Sequence, residues 1–179
     1  MSKYVALLRG INVGGNKKVP MAQLRELLAG LGLSGVRTLL NSGNAVFAAE
    51  GTGPDELAKR IEAAIDQKLG QSVRCLIRDR VDIHEVIEAN PFPEAASDGS
   101  RFMAVFTSAP LDPDLVAVHD PTTLDPDNIR LGDRVIYQWC RQGVLEAPDL
   151  RQFADKHWKV TVTGRNWNTV LKIGALLDT

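Results

Sequence analysis

One stretch decides how the first half of the chain can fold: VRTLLNSGNAVFA, at residues 36–48. Two short strand-like runs, residues 36–40 and 44–48, flank Ser42 and Gly43. A short polar pair containing glycine between two such runs is a hairpin signal. The stretch therefore predicts two antiparallel strands joined by a tight turn.

Each side of this hairpin carries a helix and a strand. Residues 4–8 are a continuous apolar run, typical of a strand covered on both faces, and residues 73–77 form a similar run. Leucines and isoleucines recur at helical spacing after Pro20 and after Pro54, and proline fits the first turn of a helix. The order is strand, helix, strand, strand, helix, strand. Right-handed crossovers make the first and second strands parallel, with the third between them and antiparallel, which is the ferredoxin-like arrangement.

The second half repeats this order. A helix near Val86 leads into a polar stretch ending at residue 100, and strand-like runs follow at residues 102–107, 128–131 and 134–140. A short helix at 114–118, a helix ending near His157, an extended piece at 160–163 and a helix from Trp167 complete the half. We predict an α+β protein of two ferredoxin-like βαββαβ (alpha-beta plait) halves in tandem, with antiparallel sheets, helices packed on them and an extra C-terminal helix. The predicted boundaries are 1–79 for the first plait, 80–100 for a bridging helix and linker, and 101–179 for the second half.

Composition narrows the class of protein. A chain of 179 residues with 44% hydrophobic residues and a formal net charge of −1 is neither disordered nor strongly basic, as a dedicated DNA-binding protein would be. Cys75 and Cys140 lie in strand-like runs and are expected to be buried, reduced thiols. The N-terminus is apolar for too few residues to form a signal peptide or a membrane span. We expect a cytoplasmic protein that does not associate with membranes.

The strand order predicts a first candidate site. The loop after the first strand and the turn of the hairpin emerge at the same edge of the sheet, so residues 9–18 should lie beside residues 41–44. Glycine amides, lysines and a following helix N-terminus can bind an anion. The alternative is that the glycines only allow a tight, irregular loop. The candidate ligand-binding residues here are Arg9, Asn12, Gly14, Gly15, Lys17, Ser42 and Asn44.

A second candidate site lies at the last helix. Thr163 or Asn166 can cap that helix, and Trp167 begins its apolar face. Polar and basic residues then fall on the other side, near the positive helix end. The alternative is a capped terminal helix that Trp167 anchors. The candidate binding residues are Arg165, Asn166, Thr169 and Lys172.

Catalytic and metal-binding signatures are missing from the sequence. His84, His119 and His157 are not spaced with another histidine, cysteine or glutamate as in metalloenzyme motifs, and no nucleophile elbow occurs. We predict no metal and no cofactor, and we assign no catalytic residue. Four aromatic residues could alternate along one sheet face as a platform for stacking nucleic-acid bases, although a buried face under helices is the simpler interpretation. They are Phe102, Phe106, Tyr137 and Trp139.

Four segments of the chain together resemble a known family: YVALLRGINVGG at residues 4–15, NSGN at 41–44, NPF at 90–92 and RNWNTV at 165–170. The family they resemble consists of uncharacterised bacterial proteins, domain of unknown function 1697. The resemblance implies a two-part alpha-beta plait, and it implies no activity, substrate or catalytic residue.

Four functions are therefore weighed. Non-catalytic binding of a small phosphorylated or carboxylated ligand is the leading hypothesis, because the two candidate sites combine cations with backbone amides at helix or loop ends. The alternatives are single-stranded nucleic-acid binding, an enzyme whose site is assembled from distant residues, and a protein-interaction module. The sequence predicts no oligomeric state.

Overall fold

The computed structural model describes residues 1–179, and the chain divides into two compact units. Unit 1 comprises Met1–Ile83 together with Ile173–Thr179, and unit 2 comprises His84–Lys172. Each unit contains one four-stranded antiparallel sheet with helices. The predicted α+β fold, two plait halves in tandem with an extra C-terminal helix, is confirmed.

The sheet of unit 1 has the strand order that the hairpin and crossovers predict. Its order is β2-β3-β1-β4, and β3 pairs antiparallel with both β1 and β2, so that β1 and β2 run parallel to each other. The turn of the hairpin spans four residues, 40–43, rather than the predicted two. The elements are β1 (Ser2–Leu8), α1 (Met21–Gly30), β2 (Ser34–Leu39), β3 (Asn44–Ala49), α2 (Pro54–Leu69), β4 (Cys75–Asp79) and α3 (Arg80–Glu88).

Helices α1 and α2 cover one face of this sheet. Their buried residues recur at helical spacing, Leu24 and Leu28 on α1 and Leu57, Ile61 and Ile65 on α2. These side chains form one hydrophobic core with alternate residues of the strands, which share a face because the side-chain period of a strand is two. The helices therefore leave the ends of the strands, where the loops emerge, open for other contacts.

Unit 2 repeats the arrangement with the sheet order β6-β7-β5-β8. Helix α5 packs on the sheet face that carries Val105, Ile136 and Val162. Short 3₁₀ helices lie at Pro93–Asp98, Pro121–Leu124 and Val144–Glu146. The other elements are β5 (Phe102–Thr107), α4 (Pro113–Val118), β6 (Ile129–Gly132), β7 (Val135–Trp139), α5 (Leu150–His157), β8 (Val162–Asn166) and α6 (Trp167–Leu177), whose residues from Ile173 onward are assigned to unit 1.

The structure of two segments differs from what the sequence predicts. The stretch expected to be a polar linker contains the 3₁₀ helix Pro93–Asp98, and Phe92 and Ala95 in it are buried. The extended piece predicted at 160–163 is the strand Val162–Asn166, because β8 continues its pairing with β5 as far as Asn166. Thr163 is thus a strand residue four positions before α6, and the cap of that helix is Asn166, whose Oδ1 accepts from the Thr169 amide.

The aromatic residues of unit 2 belong to the core. Phe102, Phe106 and Tyr137 are at most 1% exposed, and the Trp167 ring lies 4.7 Å from that of Phe102. The Tyr137 hydroxyl donates a hydrogen bond of 2.7 Å to the Val86 carbonyl, and burial raises the pKa of Tyr137 to about 12. These three rings therefore offer no surface on which a nucleic-acid base could stack.

Both cysteines are free and buried, as predicted. Burial, together with the charge of Asp125, raises the pKa of Cys140 to about 11, so this thiol is protonated at neutral pH. None of the helices combines the length and the apolarity that crossing a membrane would require.

Two histidines of unit 2 stack on each other. The rings of His119, which follows α4, and His157, which ends α5, have centroids 4.1 Å apart and planes 21° apart. The ring of Phe153 lies 4.8 Å from that of His157. Partial burial, the charge of His119 and the charge of Lys156 lower the pKa of His157.

This pair predicts that acid destabilises unit 2. An unfolded histidine titrates at about pH 6.5, and a folded pKa below that value means that the unfolded chain binds the proton first. We therefore expect the contribution of His157 to the free energy of unfolding to be complete above about pH 6.5. It should be lost as the pH falls through the pKa of His157 in the folded protein. Urea unfolding at several pH values measures this. His119→Asn should flatten the dependence and His84→Asn should not; equal slopes in both variants would contradict the assignment.

Candidate functional site

Three loop segments meet at one end of the unit 1 sheet. The strand register pairs Leu7 with Asn44 and Leu8 with Cys75, which brings the loop after β1, the turn before β3 and the segment before β4 together. The Leu8 amide donates to the Gly43 carbonyl at 2.9 Å, and the Arg9 amide donates to the Arg74 carbonyl at 3.0 Å. We call these segments, residues 9–20, 40–44 and 70–75, the amino-terminal rim.

Asn12 joins two of these segments through its side chain. Its Nδ2 donates to the Val19 carbonyl at 3.0 Å and to the Asn41 carbonyl at 2.8 Å, and its Oδ1 accepts from the Val19 amide at 2.8 Å. Its φ of 56° lies in the left-handed region, which asparagine tolerates better than most residues. Asn12 therefore holds the loop against the turn, and its polar atoms are bonded within the protein.

Gly14 and Gly15 form the tip of the loop. Their φ values of 57° and 78° are those of a type I′ turn, and the Asn16 amide donates to the Val13 carbonyl at 3.0 Å to close it. The glycines thus serve the tight turn that was the alternative explanation for them. Neither glycine donates its amide to another residue of the chain, so both N–H groups stay available at the tip.

The turn before β3 is rigid. Asn44 is fully buried, and its Nδ2 donates to the Leu39 carbonyl at 2.7 Å and to Ser42 Oγ at 3.1 Å. Gly43 has a φ of 91°, and a Cβ there would lie 2.7 Å from Ile11 Cδ1. Asn44 therefore shapes the turn from inside, while Ser42 is exposed at its tip.

The rim is rich in cations. Its three segments contain Arg9, Lys17, Lys18 and Arg74, and they contain no aspartate and no glutamate. Both lysines are exposed, and Lys17 Nζ donates to the Ser72 carbonyl at 2.6 Å. One carboxylate approaches from α2: Glu62 Oε2 lies 3.3 Å from Arg74 Nε and accepts from the Cys75 amide at 3.0 Å. The rim therefore carries a net positive charge.

Helix α1 begins directly after the loop. No side chain caps its N-terminus, and no acidic residue lies in its first turn. The first amides of a helix have no partner within the helix and carry a partial positive charge. The helix end consequently adds to the positive potential of the loop that precedes it.

The residues predicted at the last helix are arranged differently. Arg165 lies on β8 and is 6% exposed, with Nη1 donating to Thr163 Oγ1 and to the Gly164 carbonyl, both at 2.9 Å. Asn166 is the cap of α6, since its Oδ1 accepts from the Thr169 amide at 2.9 Å. Thr169 is buried and Lys172 is exposed. Of the four residues, only Lys172 offers an exposed positive charge.

Two features of unit 1 were not foreseen as parts of a site. Ser72 and Arg74 reach the rim through the pairing of β4 with β1, which no local pattern signals. A cavity of about 420 Å³ also lies along β2 and β3, lined mainly by apolar atoms near Phe47. Its cations, Lys3 and Arg37, donate to the carbonyls of Thr179 and Leu176, the latter at 3.1 Å.

Comparison with solved structures finds a protein of the same fold. The structure of the conserved bacterial protein SP0830 from Streptococcus pneumoniae superposes with a TM-score of 0.67 and 26% sequence identity, over 98% of this chain and 98% of that chain. No curated protein matches the sequence. The pattern of the family described as "protein of unknown function (DUF1697)" matches residues 1–137, so the chain belongs to that family, as the resemblance predicted.

Proposed function

We propose that the protein binds a small anionic ligand, phosphorylated or carboxylated, at the amino-terminal rim and without catalysing its conversion. The observation that carries this proposal is the bridge made by Asn12 between the loop and the Asn41 carbonyl. Through it the glycine tip, the exposed lysines and the hydroxyl of Ser42 share one end of the sheet.

The electrostatics favour an anion with more than one negative charge. An exposed ion pair is worth only about 0–1 kcal/mol, and a helix N-terminus adds about 0.3–1 kcal/mol. One such contact would give negligible affinity, so several must act on the same ligand. Four cations, the two glycine amides and the uncapped α1 provide them together.

The chemistry of the rim supports binding rather than catalysis. General acid–base catalysis requires a group that exchanges protons near neutral pH, most often histidine or a carboxylate. The rim segments contain no histidine and no carboxylate, and their one thiol, Cys75, is buried. Ser42 has no base beside it in these segments, which leaves it suited to hydrogen bonding.

The terminal-helix residues are left out of this proposal, because Arg165 and Thr169 are buried. We further propose that the protein works in the cytoplasm. The free, buried thiols of Cys75 and Cys140 support a reducing compartment, since secreted proteins commonly pair their cysteines.

A charge-matched pair of double variants tests the anion site. We expect pyrophosphate or citrate to raise the melting temperature of the native protein, by an amount that corresponds to about 2.7 kcal/mol at about 100 times the dissociation constant. Lys17→Gln with Lys18→Gln should abolish this rise. Lys59→Gln with Lys156→Gln, which removes the same charge from exposed lysines of α2 and α5 outside the rim, should retain it.

The ionic strength provides a further criterion. Sodium chloride should weaken the response, because exposed charges are screened over about 8 Å at about 0.15 M salt. If both double variants respond to pyrophosphate and citrate as the native protein does, the rim is not the anion site. An absence of response by the native protein to both anions would also contradict the proposal.

A further inference from the structure

Unit 2 contains a polar cavity of about 270 Å³ at the end of β7. It is lined by Asp125 and Asn128, which precede β6, and by residues of the segment from Trp139 to Pro148. None of the residues that line this cavity belongs to the amino-terminal rim, and they include a tryptophan, an arginine, an aspartate and a glutamate.

Arg141 is held in a fixed position at this cavity. Its guanidinium carbon lies 3.8 Å from the centre of the Trp139 ring, and its Nε donates to Asn128 Oδ1 at 2.6 Å. Asn128 is held in turn, since its Nδ2 donates to both carboxylate oxygens of Asp125, at 3.0 and 3.1 Å. The indole is also held by a hydrogen bond, because Trp139 Nε1 donates to Asp98 Oδ2 at 3.1 Å.

This arrangement leaves a preorganised pair of donors. A guanidinium has five N–H groups in a planar fork, and in Arg141 only the one on Nε is bonded within the protein. The terminal Nη groups are therefore unbonded within the protein, while stacking and the Nε bond together hold the guanidinium plane. Such a fork suits a ligand with two adjacent acceptor atoms.

The two acidic residues of the cavity, Asp125 and Glu146, indicate which kind of ligand it can bind. Glu146 lines the same cavity and its side chain makes no hydrogen bond or ion pair within the protein, and Asp125 is a second acidic residue of the lining. Two negative charges beside one arginine disfavour a phosphate or a carboxylate. They favour a neutral, planar ligand that offers two acceptors to Arg141 and N–H donors to a carboxylate.

We propose that this cavity binds a guanine base. Guanine presents the acceptors O6 and N7 side by side, the pair that arginine recognises with two hydrogen bonds, and its N1–H and N2 amino groups are donors for Glu146. Adenine has an amino group where guanine has O6, which would place a donor against a donor of Arg141. The volume is below the about 300–1,000 Å³ of sites for drug-sized ligands, so it suits a single base.

Titration calorimetry with nucleosides tests the assignment. We expect guanosine to bind more tightly than adenosine by roughly 5-fold to 150-fold, the range of one bidentate base contact. Arg141→Lys, which keeps the charge and loses the fork, should weaken guanosine binding by a similar factor. Arg151→Lys, an equivalent change at an exposed arginine of α5, should leave it unchanged.

The same experiment shows whether the guanine belongs to a free nucleoside or nucleotide or to a nucleic-acid strand. Binding of guanosine itself assigns a free nucleoside or nucleotide, whereas binding of a guanine-containing trinucleotide alone, lost in Arg141→Lys, assigns a base within a single strand. Binding that is equal for guanosine and adenosine, or equal in the native protein and Arg141→Lys, overturns the proposal. So does the absence of binding by both guanosine and the trinucleotide. Pyrophosphate binding at the rim is measured separately, so either site can fail without the other.

Discussion

We expect the Gly43→Ala variant to lose about 3 kcal/mol of unfolding free energy, from about 1–3 kcal/mol of overpacking and about 1–2 kcal/mol of backbone strain. The added methyl group would lie 2.7 Å from Ile11 Cδ1 and 2.9 Å from Leu8 Cβ. Both neighbours belong to the packed core of unit 1 and cannot move away freely. The φ of 91° adds strain, because residues with a Cβ avoid this region. Urea unfolding measures the loss.

Gly14→Ala is the matched control for this variant. Gly14 also has a positive φ, 57°, but a Cβ there would meet no atom within 4 Å. We therefore expect Gly14→Ala to cost only the strain term, about 1 kcal/mol. Equal losses in the two variants would show that the contact between Gly43 and Ile11 does not limit the turn.

The second large effect is expected for Asn12→Ala, at about 2–4 kcal/mol. The variant removes the partners of the Val19 amide and carbonyl, and each buried polar group left without a bond costs about 1–3 kcal/mol. Val19 is fully buried, so water cannot replace the lost bonds without a rearrangement of the loop. Urea unfolding gives the stability, and the response to pyrophosphate should fall as well, because the loop is no longer tied to Asn41.

Asn12→Gly separates the loss of the hydrogen bonds from the backbone strain that alanine would suffer at this positive φ. Glycine accepts the φ of 56° without strain, so the glycine variant should be about 1 kcal/mol more stable than the alanine variant. The rest of the loss should remain, because both variants lack the side-chain amide. Native stability in Asn12→Gly would contradict the role given to the three hydrogen bonds.

The elements of the fold were predictable because their signals are local. The strand at Phe102–Thr107 has the predicted bounds, and Pro54 opens α2 as its position in the sequence indicated. The hairpin of β2 and β3 follows from two strand-like runs around a turn that contains glycine. With two crossovers of known hand, this hairpin also determines the strand order, and so the proximity of residues 9–18 to residues 41–44.

The roles of individual polar residues were less predictable. Asn12 and Asn44 were expected to face a ligand, and their amides are bonded inside the rim instead. Arg165 was expected at an exposed helix end, and it is buried on β8. A polar side chain satisfied within the protein and one that awaits a ligand look the same in a sequence, because the difference lies in which carbonyl or hydroxyl comes within about 3 Å.

The sequence by itself determined the order of strands and helices, the tandem repeat of the plait and the meeting of two loops at one sheet edge. All of these follow from periodicity, turn chemistry and the handedness of short connections. Only the tertiary structure decided that Arg74 joins the rim, that Phe92 is buried and that Arg141 stacks on Trp139 beside an open cavity. These contacts join residues whose side-chain directions are set by packing, which no local pattern in the chain records.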